Sequence, residues 1–234
     1  MLRQIAFDTE TTGLDPASGH RIVEIGCVEL VGYVRTGKTF HAYLNPERDM
    51  PPEAEKVHGL SAAFLADKPR FADVVADFLA FVGDAVLVAH NAAFDMKFLN
   101  YELRTHGHAP FADDRALDTL LIARKKYPGQ PASLDALCRR FNVDLTARTK
   151  HGALLDAELL SDVYLELMGG RQASFGLSGA GEGVQSQQGI PTHVPVTHFP
   201  RRHFAPSEAE LFAHEDFLST QVKGALWKKL PVTA

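Results

Sequence analysis

A mixed α/β sheet covered by helices, with a flexible C-terminal tail, is the architecture this sequence predicts. The first third holds successive runs of strand-like residues, which suits antiparallel neighbours joined by turns. From about residue 70 onward, short apolar runs alternate with stretches of helical periodicity, which suits strands joined by crossover helices. After Met168 the periodicity stops, and a tract of Gly, Ser and Gln follows.

The first strand is expected around Gln4 to Asp8, with Ile22 to Val31 and Thr39 to Leu44 as its hairpin partners. Phe71 to Phe81 repeats Val74, Val75, Phe78 and Leu79 at helical spacing. Val86 to Ala89 is wholly apolar, the mark of a strand covered on both faces. Helices are predicted again over Phe94 to Arg104, Ser133 to Phe141 and Gly152 to Met168, with a short strand at Ala116 to Asp118. Gly169 and Gly170 stop the last of them. At 234 residues and 45% hydrophobic content, the chain can bury one substantial core and carry an appendage. Cys27 and Cys138 fall in apolar runs and read as reduced core residues. No signal peptide or membrane-spanning stretch is evident, so a cytoplasmic protein without a membrane partner is expected.

The chemistry concentrates in acids. Asp8 and Glu10 lie two residues apart at the end of the first strand, so they point to one face and can share a cation. Asp95 is followed by Phe98 and Leu99, and Asp156 by Leu159, Leu160 and Val163, so both sit on the inward stripe of a helix. Buried carboxylates must be paired, hydrogen-bonded or bound to metal. Lys97 and Lys150, the bases near these motifs, can serve one acid each, so a salt bridge accounts for any single acid but not for all four. A divalent ion suits the whole set, and hard oxygen ligands favour Mg²⁺ or Mn²⁺ over zinc.

The segments Asp8-Thr-Glu-Thr-Thr-Gly13, Asn91-Ala-Ala-Phe-Asp95 and His151-Gly-Ala-Leu-Leu-Asp156 resemble, in this order, the three motifs of the DEDDh family of 3′ to 5′ exonucleases. Glu53 to Ser61 and Ser133 to Cys138 extend the likeness to the proofreading subunits of bacterial DNA polymerase III. The resemblance runs from about Arg3 to Gly170. It implies a ribonuclease H-like domain over residues 1–170, with Asp8, Glu10 and Asp156 holding two divalent cations, Asp95 as the fourth acid and His151 as general base. It further implies that Glu53 and His58 contact the terminal nucleotide, beside Asp8, Glu10 and Asp156, and that single-stranded DNA 3′ ends are the substrate.

The first 168 residues carry 18 Lys and Arg against 24 Asp and Glu, a net charge of −6. Bulk charge cannot hold DNA on such a surface, which suits an enzyme delivered to its substrate by a partner. Residues 171–177 contain Gln172, Phe175 and Leu177, similar to peptides that bind the β sliding clamp. Residues 178–205 read as a flexible linker. In residues 206–234, Ser207 and Glu210 form a capping-box pattern that opens a helix carrying Leu211, Leu218 and Val222, and Trp227 follows. This tail, with Leu218 and Trp227, is expected to dock on the catalytic (α) subunit of the polymerase. An RNA-trimming or repair exonuclease and a noncatalytic adaptor between clamp and polymerase are the alternatives. The complete acid set disfavours the adaptor, and the linker and tail disfavour a free-standing RNA trimmer.

Overall fold

The computed structural model describes residues 2–146, 148, 150–170 and 206–220. Gln172, Phe175, Leu177, Val222 and Trp227 lie outside them, as does the expected linker. The chain divides into two units, Met1–Leu177 and Ser178–Ala234. In the first, β1 (Arg3–Thr11), β2 (Ile22–Val31), β3 (Val34–Tyr43), β4 (Val86–Ala89) and β5 (Ala116–Asp118) form one sheet ordered β3-β2-β1-β4-β5. Three strands form an antiparallel meander, while β4 and β5 run parallel to β1. The helices are α1 (Pro52–His58), α2 (Ala62–Leu65), α3 (Phe71–Val82), α4 (Ala92–Thr105), α5 (Thr119–Lys126), α6 (Leu134–Phe141) and α7 (Ala153–Leu167). In the second unit, α8 spans Glu208–Thr220.

Helices α1 and α2 were not assigned from the sequence, and two further elements depart from its reading. The third strand begins at Val34 rather than Thr39, because Gly32 and Tyr33 both take positive φ and close a tight hairpin that pairs Val31 with Val34. Residues 34–39 are exposed on the sheet edge, so no apolar alternation marked them. Helix α5 was not expected: it is short, leaves Leu121 exposed, and is nucleated by Asp118, whose side chain accepts from Leu120 N–H at 2.8 Å. The α8 capping box forms as its residues predict, with Ser207 N–H donating to Glu210 Oε2 at 2.8 Å and Glu210 N–H to Ser207 Oγ at 3.4 Å.

Strand alternation assigns the two faces of β1 to different helices. Ile5 and Phe7 join Val75, Phe78, Phe98 and Leu99 of α3 and α4 in one core. Ala6 packs in a second core with Leu137 of α6 and Leu160, Val163 and Tyr164 of α7. Even-numbered β1 residues therefore face α7, and Gln4 Nε2 donates to Tyr164 Oη across that layer at 2.7 Å. Asp8 and Glu10 share this face. Opposite Asp8 in the register is Gly26 of β2.

Gly26 is where α7 meets the sheet. A Cβ on it would fall 2.2 Å from the carbonyl carbon of Ala153 and the amide nitrogen of Leu154, so the first turn of α7 rests against bare strand backbone. That contact sets the height of Asp156 above β1. Gly26→Ala is expected to destabilise the fold by about 1–3 kcal/mol through overpacking, measured by urea denaturation. A neutral result would show that α7 is free to shift.

Candidate active site

Asp8 and Glu10 end the central strand, Asp95 lies in the first turn of α4 and Asp156 in the first turn of α7. Glu10, Asp95 and Asp156 are buried, at 8%, 3% and 3% exposure, and Asp8 is partly buried. Asn91, with φ of 70°, turns the chain from β4 into α4. Asp95 is then fixed to the central strand: its Oδ1 accepts from Thr9 N–H at 3.1 Å and from Thr9 Oγ1 at 2.7 Å. Glu10, Asp156 and His151 each place one ligating atom within 4.8 Å of the others. His151 is half-exposed on the loop before α7, its backbone N–H donating to Val57 O at 3.3 Å.

These carboxyls are electrostatically costly. Burial, then the neighbouring Asp95, Glu10 and Asp156, raises Asp8 well above the ordinary carboxylate range. Burial, with Asp156, Glu24 and Asp95, pushes Glu10 up to about 8. Burial raises Asp95 to about 7 against the two hydrogen bonds from Thr9 that hold it down. A hard divalent cation fits this donor set, because it replaces mutual repulsion by coordination.

The cation that the structure brings to the acids is Arg148. Its Nε donates to Asp156 Oδ1 at 2.5 Å and its Nη2 to Asp156 Oδ2 at 2.6 Å, while Nη1 reaches Asp135 on α6. The two lysines considered from the sequence do not serve the acids: Lys97 pairs with Asp15 at 2.9 Å, and Lys150 lies over Gly59. Sequence reasoning also missed Glu24, a buried β2 acid opposite Glu10 in the register, which meets His41 Nε2 at 2.7 Å. The signal for Glu24 was its place between apolar neighbours, Ile22, Val23 and Ile25, at the start of a strand.

Beside the acids opens a cleft of about 650 Å³, lined among others by Glu10, Thr12, Leu14, Glu53, Val57, His58 and Phe94. Glu53 and His58 thus come from α1 to the same cleft as Glu10. His58 Nδ1 accepts from Leu60 N–H at 3.0 Å, which leaves the ring proton on Nε2, a buried atom on the side of the Thr11 backbone. Burial lowers the pKa of this imidazole and keeps it neutral. The apolar wall and the polar edge suit a nucleotide, with a base against Leu14, Val57 and Phe94.

The family model described as Exonuclease matches residues 5–164. Among solved structures, exonuclease X in complex with 5′ overhanging duplex DNA has a TM-score of 0.56 at 29% identity, covering 72% of this chain and 91% of that one. Fold and site thus define a nuclease of the exonuclease family, which works with divalent metal ions. The chain is 48% identical over 228 residues to the DNA polymerase III subunit epsilon of Rickettsia felis, covering 96% of this chain and 99% of the relative. Against the same subunit of Escherichia coli K12 it is 44% identical over 237 residues, with 97% of each chain covered. It belongs to the epsilon subunit family and is a 3′ to 5′ exonuclease. No helix among the described residues is long and apolar enough to cross a membrane.

An acid whose pKa is higher folded than unfolded binds its proton more tightly in the folded state. In the presence of a chelator, stability should therefore be greatest below the ordinary Glu value of 4.5 as far as Glu10 is concerned, and decline as pH rises toward about 8. Thermal melts in EDTA from pH 5 to 8 should fall by several degrees more than melts in Mn²⁺. Parallel curves would contradict the burial of these charges.

Proposed function

We propose that this chain proofreads DNA replication, hydrolysing mispaired 3′-terminal nucleotides from single-stranded DNA ends in the cytoplasm as part of a DNA polymerase III core. The observation that carries the reading is the convergence of Asp8, Glu10, Asp95 and Asp156 beside His151, at the mouth of a nucleotide-sized cleft. Asp8, Glu10 and Asp156 would hold two Mg²⁺ or Mn²⁺ ions directly. Asp95, with Oδ1 already committed to Thr9, would contribute from further away. Bound there, the ions would supply a more acidic water and stabilise the departing 3′ oxygen.

The chain's own groups do the rest. The cleft receives the terminal nucleoside, whose base lies against Leu14, Val57 and Phe94. Glu53 and His58 hold the sugar and phosphate edge. His151, half-exposed beside Gly152, takes the proton of the attacking water through its outward nitrogen. Residues 206–234, with Leu218 and Trp227, would fix the chain to the polymerase α subunit, and Gln172, Phe175 and Leu177 would engage the β clamp. Tethering of this kind raises the local concentration of an acidic domain with little intrinsic affinity for DNA.

His151→Ala is expected to keep Mn²⁺ affinity while losing about 10²- to 10⁴-fold in hydrolysis of a mismatched primer. Asp8→Ala should lose both, as read by calorimetry alongside primer hydrolysis. Equal loss of metal binding in the two would reassign His151 as a ligand, and preference for an RNA oligonucleotide of equal length would redirect the reading to RNA trimming. A chain ending at Met168 should fail to co-purify with the polymerase α subunit while the full-length chain is retained; retention of both would remove the tail from that role.

A further inference from the structure

Arg148 makes more contacts at the site than a structural ion pair needs. Both Asp156 oxygens accept from its fork, its side chain is 8% exposed, and Nη2 also lies 2.8 Å from His151 Nδ1. That same Nδ1 is 3.1 Å from Asp156 Oδ2. The two contacts of Nδ1 exclude each other. A guanidinium only donates, so its bond requires a lone pair on Nδ1 and places the proton of a neutral ring on Nε2. An ionised carboxylate only accepts, so its bond requires Nδ1–H and leaves the lone pair on Nε2. A general base reaching water through Nε2 needs the second arrangement.

We propose that Arg148 is a resident counter-cation that competes with the divalent ions for Asp156 and, while seated, holds His151 in the tautomer unable to act as base. This rests on the reading that Asp156 is a metal ligand. Both Asp156 oxygens are engaged by Arg148, and a guanidinium charge there repels an arriving cation. Asp135 supplies the place to retreat: it holds Nη1, belongs to α6 rather than to the acid cluster, and is 41% exposed. Release from Asp156 therefore leaves Arg148 paired and close by. The same movement frees Nδ1 to donate to Asp156, so loading of the ions and arming of the base become one event. Arg148 is on this account a positioning residue, acting through Asp156 and His151.

The test is calorimetric titration of Mn²⁺ into the full-length protein, Arg148→Met and Arg148→Lys after chelation. Arg148→Met should bind about tenfold more tightly than wild type, since a bidentate charge-assisted bond no longer has to be broken. Arg148→Lys, which keeps the charge but loses the fork, should gain less, and it carries the comparison if Arg148→Met does not fold. Both should melt lower than wild type in EDTA. Nitrogen-15 spectra of His151 should show wild-type Nδ1 turning from acceptor to N–H as Mg²⁺ is added, and Nδ1–H already in place in Arg148→Met without it. Unchanged or weaker Mn²⁺ binding in the variants, or one His151 tautomer throughout, overturns the inference. No Mn²⁺ binding by wild type would instead remove the assignment of Asp156 on which it rests.

Discussion

Mutual repulsion among buried carboxylates is the constraint to which the rest of this molecule is fitted. Asp8, Glu10, Asp95 and Asp156 crowd the carboxyl end of one strand, and Glu24 stands across the register from Glu10. Such a cluster persists only if each charge has a compensating neighbour. Thr9 gives Asp95 its backbone and hydroxyl donors, His41 meets Glu24, and Arg148 meets Asp156. What these leave uncompensated, chiefly on Asp8 and Glu10, is negative charge of the kind a divalent ion fits.

The sheet solves the geometric half of the same problem. Alternation along β1 sends Asp8 and Glu10 toward α7 while Thr9 turns to α4, so acids from two layers meet over one strand end. The absence of a side chain at Gly26 lets the first turn of α7 descend far enough for Asp156 to join them. The four carboxylates thus come from the ends of regular elements. His151 and Arg148 are instead carried by the loop between α6 and α7.

Much of this was legible in the sequence, and the reasons differ by residue. Asp8 and Glu10 were readable because strand period is local, and Asp95 and Asp156 because an acid on an apolar helical stripe contradicts its surroundings. Arg148 was not readable: nothing in a polar loop distinguishes it from Lys150, and only the folded loop shows which of them turns inward. Glu24 escaped because its significance depends on a cross-strand neighbour fourteen positions away. The start of β3 was hidden for the opposite reason, since an edge strand facing water has no pattern to display. Polymerase and clamp contacts assigned to Gln172, Phe175, Leu177 and Trp227 lie outside the described residues.

Helix α4 is held at both ends. Thr9 grips Asp95 in its first turn, and near its last turn Glu102, 1% exposed, takes a two-pronged bond from Arg21 at 2.7 and 2.6 Å. Clamped twice to the sheet, α4 cannot slide or pivot independently of β1 and β2. The spacing of Asp95 from Asp8 and Glu10 is thereby built into the scaffold, so these three carboxylates keep their mutual distances whatever occupies the space between them.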